Sequence, residues 1–130
     1  MAARFDAVGI IVEDMESSLS FYSLLGFEIP SGAGQQGHVE LHLARGLRLL
    51  IDTVEVIQSF SDWEPASGGH RMGLAFLCDS PTGVDDLHAA IVRAGYRSHV
   101  DPFDAPWGQR YATVLDPDGN PVDLFAQLTP

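Results

Sequence analysis

The sequence predicts an α+β fold: two βαβββ modules whose strands form a curved mixed-sheet cup. The first observation behind this is a repeat. "AVGIIVED", Ala7 to Asp14, and "MGLAFLCD", Met72 to Asp79, are both apolar, strand-like runs that end in an acid. The second is the segment after each run, an amphipathic helical stretch closed by a glycine and an aromatic, Gly26–Phe27 in one copy and Gly95–Tyr96 in the other. Self-similarity at a fixed spacing marks a duplicated supersecondary unit.

In the first module the opening strand leads into a helix with Met15, Leu19, Tyr22 and Leu25 on one face, and Gly26 stands where a C-terminal cap belongs. Three strands are predicted after it, over roughly 27–30, 38–44 and 47–52. In the second module Val84, Leu87, Ile91 and Ala94 share a helix face that Gly95 ends, with strands over roughly 96–100, 109–115 and 121–126. "DPDGN", Asp116 to Asn120, is a turn: Pro117 is pre-set for its second position and Gly119 accepts positive φ. The boundaries read as one domain, 1–130, with a first module over 1–56, a connecting segment over 57–69 and a second module over 70–130.

Composition bounds the function. The 130 residues are 45% hydrophobic and 19% charged, enough for one well-cored domain. No window reaches the ~18 apolar residues of a membrane helix, and the N-terminus does not read as a signal peptide. The single cysteine, Cys78, excludes an intramolecular disulfide, and a cytoplasmic location is expected. It reads as a buried strand residue with no activating base. Eighteen acids against seven basic residues, all of them arginine, give a net charge of −11. That field disfavours nucleic acid and anionic membrane and favours a cationic or amine-bearing small molecule.

The duplication, the "DPDGN" turn and the last strand "PVDLF" together resemble the vicinal oxygen chelate superfamily, which holds glyoxalases, bleomycin-resistance proteins and extradiol dioxygenases. The resemblance spans the whole chain and implies that fold. Metal-dependent members place a His near the start of each module's first strand and a Glu near the end of each last strand. Here those points carry Ala7, Met72 (with His70 two residues earlier), the Leu49–Leu50 region and Asp123. A divalent ion wants about three His, Asp or Glu ligands, and only Asp123 stands at an expected point. No metal, no cofactor and no catalytic residue are therefore expected.

"WGQRYA", "DPDGN" and "VDLFA" are similar to the antibiotic-sequestering branch, most of all to the mitomycin-binding resistance proteins. That similarity implies stoichiometric binding of a planar aromatic or quinone-type drug, in an aromatic groove of a homodimer. Trp107, between Pro106 and Gly108 in a polar loop, is then a ligand wall, able to offer a face of ~200 Å². Gln109 and Tyr111 share one strand face with each other. Phe60 and Trp63 in the connecting segment, and Phe103, are further aromatic candidates, whereas Phe21, Phe27, Phe76 and Phe125 read as core. His38, Glu40, Asp52 and Asp123 are the polar candidates. In "HVELH" the alternation puts His38, Glu40 and His42 on one face, but His38 and His42 start ~13 Å apart, too far to share an ion without help. The alternative is a metal-dependent lyase or oxygenase with a rearranged ligand set drawn from His38, Glu40, His70 and Asp123.

Overall fold

The computed structural model describes residues 4–65 and 72–129, which belong to two compact units, Met1–Pro65 and Ala66–Pro130. Both are α+β, as expected, and each carries one sheet.

Unit 1 contains β1 (Ala7–Val12), α1 (Met15–Ser23), β2 (His38–His42), β3 (Arg48–Thr53) and a short α2 (Val54–Gln58). The sheet order is β1-β3-β2, with β1 parallel and β2 antiparallel to β3. The Asp14 side chain accepts a hydrogen bond from the Ser17 N–H at 3.2 Å and so starts α1. Met15, Leu19 and Tyr22 are buried as the helical spacing requires, with Phe21. They form a core with Val12, Val39, Leu41, Leu49 and Ile51 from alternate strand positions. Leu25, expected on the same helix face, lies past the helix end and is half-buried.

The strand predicted over 27–30 does not form; this stretch is irregular chain. Pro30 has no N–H to give a ladder, and the backbone then turns through Gly32 (φ 76°) into a 3₁₀ turn over Ala33–Gln35. Among its described residues unit 1 therefore has three strands where four were expected.

Unit 2 is a complete βαβββ module: β4 (Leu74–Leu77), α3 (Pro81–Arg93), β5 (Arg97–Ala105), β6 (Gln109–Leu115) and β7 (Pro121–Gln127). Its order is β4-β7-β6-β5, with β4 parallel to β7 and the other pairs antiparallel. Ser80 caps α3 by accepting from the Gly83 N–H at 3.0 Å, and Pro81 takes the first helical position. At the other end the Gly95 N–H reaches the Val92 carbonyl and the Tyr96 N–H reaches that of Ile91. Gly95 (φ 103°) makes this double closure possible. Val84 and Ile91 are fully buried. Ala94 is the C-cap and is exposed, contrary to the helical spacing.

Along β7, Val122, Leu124 and Ala126 are buried, so Asp123 and Phe125 point to the opposite, helix-free side. The β5 strand runs further than the predicted 96–100 and includes Pro102, which is tolerated because β5 is an edge strand. Its pairing with β6 shifts twice, between Ser98 and Val100 and between Val100 and Phe103. Each shift adds one residue to β5. The "DPDGN" turn forms as expected: the buried Asp116 carboxylate accepts from the Asp118 and Asn120 N–H groups and from Asn120 Nδ2, at 2.8–2.9 Å. No described helix is long and apolar enough to cross a membrane.

Candidate functional site

The helix-free side of the unit 2 sheet carries a cluster of three rings. Phe103 on β5 and Tyr111 on β6 are cross-strand partners. Trp107 sits between those strands at the tip of a hairpin whose last paired residues are Ala105 and Gln109. Three residues, Pro106, Trp107 and Gly108, make the turn. Gly108 adopts φ 91°, and its N–H reaches the Ala105 carbonyl at 3.0 Å, the usual build of a three-residue hairpin loop. A Cβ at Gly108 would meet open space. The glycine is needed for its backbone angle.

Trp107 folds back so that its ring centroid lies 5.4 Å from that of Tyr111 and 6.1 Å from that of Phe103, while Phe103 and Tyr111 are 6.3 Å apart. All three pairs meet edge to face, at 73–86°. The indole N–H donates to Gln109 Oε1 at 2.9 Å, which fixes the ring's orientation. Even so, Trp107 is 59% exposed. It is both packed against the sheet and open to solvent.

Below the rings lies Asp123. Its Oδ2 accepts from the Tyr111 hydroxyl at 2.6 Å and its Oδ1 from the Thr113 hydroxyl at 2.7 Å. Burial, then the bond to the Asp123 carboxylate and its charge, push the Tyr111 phenol up to about 12. It is a neutral donor throughout the physiological range. Phe125, expected in the core, is the cross-strand partner of Tyr111 and lies on this same side, half-buried. The strict alternation in "PVDLFAQ" carried that signal, since Asp123 and Phe125 are two apart.

The polar candidates of unit 1 come together separately. His38 pairs across the strands with Asp52. Its Nδ1 lies 2.6 Å from Asp52 Oδ1 and its Nε2 3.1 Å from Glu40 Oε2. Arg48 continues the row, donating to Glu40 Oε1 at 2.7 Å and to Asp6. A carboxylate against each ring nitrogen favours the protonated ring of His38: the bonds to Glu40 and then Asp52 raise its pKa. Glu40 is lowered in turn, first by His38 and then by Arg48. Phe60 is 73% exposed just beyond α2, and Trp63 is half-buried in the segment after it. Neither is one of the three clustered rings.

Two other features carry no chemistry of this kind. A concavity of about 430 Å³ lies between α1 and the 29–35 loop, and Glu16 is the only ionisable side chain in its lining. Cys78 comes directly after β4, half-buried, and desolvation together with the neighbouring Asp79 charge pushes its thiol up, the wrong direction for a nucleophile.

This architecture has recognisable relatives. Residues 4–124 match the Glyoxalase/Bleomycin resistance protein/Dioxygenase superfamily. The chain belongs to that superfamily. The uncharacterized protein YwbC of Bacillus subtilis is 30% identical over 133 residues, covering 96% of this chain and 98% of that one. Among solved structures, a glyoxalase/bleomycin resistance protein/dioxygenase family enzyme from Burkholderia phytofirmans superposes with TM-score 0.80 at 21% identity, covering 97% of this chain and all of the other. A lactoylglutathione lyase from Agrobacterium tumefaciens gives TM-score 0.67 at 20% identity, over 96% and 94% of the two chains. These likenesses establish the glyoxalase/bleomycin-resistance fold.

The superfamily's metal-ligand points have definite places in this fold. Ala7 opens β1, Met72 precedes β4 with 78% exposure, Leu49 and Leu50 are on β3 and Asp123 is on β7. His70 lies outside the described residues. Among the described residues no group of three or more His, Cys, Asp and Glu side chains is disposed to hold a metal ion. The donor chemistry agrees: both nitrogens of His38 face carboxylates, and both oxygens of Asp123 accept hydroxyl hydrogens. These residues do not fit a divalent centre.

Proposed function

We propose that this protein binds and sequesters a planar aromatic or quinone-type antibiotic on the aromatic face of unit 2, without turning it over. The observation that carries this reading is the Phe103–Trp107–Tyr111 cluster, with Trp107 oriented by Gln109 yet 59% exposed. Rigid aromatic side chains offer contact area at little conformational cost. Stacking on a heteroaromatic ring adds about 1 kcal/mol beyond the area buried. The similarity of "WGQRYA" and "VDLFA" to the antibiotic-sequestering branch supports it further, with a homodimer as the assembly.

The test is a fluorescence titration with a mitomycin-type quinone, with and without EDTA. It uses the Trp63→Phe protein, in which Trp107 is the sole tryptophan. Saturable quenching indifferent to EDTA, weakened about ten- to a hundredfold by Phe103→Ala or Tyr111→Ala, is the expected result. A response lost in EDTA, or conversion of the quinone, would overturn this reading in favour of a metal-dependent lyase or oxygenase; a lyase is the activity named for the Agrobacterium tumefaciens neighbour.

A further inference from the structure

Six acidic side chains of the described residues face an arginine or a histidine. In unit 1, Asp6 and Glu40 face Arg48, and Glu40 and Asp52 face His38. In unit 2, Asp85 and Asp104 grip Arg110, while Asp101 lies 3.7 Å from His88. Asp123 is different. Its partners are two hydroxyls, those of Tyr111 and Thr113, and no described cation lies within ion-pair distance of it. A hydroxyl stabilises a carboxylate without cancelling its charge. An ionised carboxylate offers about four acceptor sites, and these two bonds occupy half of them. Thr113 is buried, and Asp123 is half-buried, so the uncompensated charge is partly shielded from water.

That carboxylate is directly bonded to a member of the ring cluster. The faces of Trp and Tyr attract cations within about 6 Å, and donation of the Tyr111 hydroxyl to an anion enriches its ring. The wider field agrees, with a net charge of −11 and no lysine in the chain. From this juxtaposition we infer that the ligand of the aromatic face is an aromatic cation. Its ring lies against Trp107, and a protonated amine donates to the free lone pairs of Asp123. The inference rests on the reading of that face as a binding site and adds the charge of its ligand.

A matched pair of probes tests it: 9-aminoacridine, a cation at neutral pH, and acridine, the same ring system without charge at pH 7.5. Calorimetric titration at 0.15 M salt is expected to show 9-aminoacridine bound at least about tenfold more tightly, as a charge-assisted hydrogen bond implies. Asp123→Asn, whose Oδ1 can still accept from a hydroxyl, removes that preference. Asp123→Glu retains it, as does Asp86→Asn, which deletes an exposed acid on α3. Equal binding of the two probes overturns the inference and leaves the aromatic face standing as a site. So does a preference that survives Asp123→Asn, since it would belong to the overall acidity. If neither probe binds, the inference and the reading beneath it both fall.

Discussion

Replacing Tyr111 by Phe isolates one bond of the site. The substitution keeps the ring that meets Phe103 and Trp107 and deletes only the hydroxyl that donates to Asp123 at 2.6 Å. A hydrogen bond to a charged acceptor contributes about 1.5–3 kcal/mol net. Asp123 keeps its second bond, from Thr113, and part of its access to water. The lower end applies, and we expect a loss of about 1–2 kcal/mol. Urea denaturation reads this directly: the midpoint of the transition that includes unit 2 falls, with an unchanged denaturant slope, because no apolar surface is altered. Alkaline difference absorbance gives a second, independent reading. The wild type carries a phenol ionising near pH 12, and Tyr111→Phe removes that step. A midpoint shift worth less than about 0.3 kcal/mol, together with a titration curve unchanged by the substitution, would refute the Tyr111–Asp123 bond.

The same geometry sets two more outcomes. The raised pKa of His38, caused by Glu40 and then Asp52, makes its contribution to stability fully present below about pH 6.5, the unfolded value. That contribution is lost as pH rises through the folded value, so the thermal midpoint of wild type declines across that window and His38→Gln flattens the decline; identical profiles would remove the imidazolium from the row. Gly108→Ala forces a Cβ onto φ 91° and costs about 1 kcal/mol. Near-UV circular dichroism should show the Trp107 signal reduced, and a spectrum matching wild type would mean that the hairpin tip does not depend on that angle.

Much of unit 2 was legible because its strands alternate cleanly and its punctuation is strong. The strand expected over 109–115 is Gln109–Leu115, and the "DPDGN" turn forms with its Asp as the hub. Unit 1 was less so: an apolar pattern over Phe27 to Ile29 could not outweigh the proline and glycines just after it. The site divides in the same way. Trp107 was conspicuous as a bulky ring between two turn residues. Its partnership with Phe103 follows from the register of the hairpin, Ala105 opposite Gln109 and Phe103 opposite Tyr111, and register is a property of the paired strands that one strand's sequence does not display. The row from Asp6 to Asp52 was hidden for a related reason. Alternation put His38 and Glu40 on one face, but only the pairing of β2 with β3 sets Arg48 and Asp52 beside them. Phe125 was misread because hydrophobicity was weighed above its phase relative to Asp123.

The hairpin tip has a consequence in time as well as in space. Its backbone is closed by the Gly108 and Ala105 pair, tied to the end of the chain by the Leu128 N–H on the Gly108 carbonyl, and topped by an indole held at Gln109. Nothing in that arrangement waits to be ordered by an arriving molecule. On the function proposed above, association with such a preassembled face is governed by encounter, and ligands that share a ring system arrive at similar rates. Discrimination among them then falls on departure. What distinguishes a well-matched ligand from a poor one is its lifetime on the face, set by how many of the contacts around Trp107 must break together before it leaves.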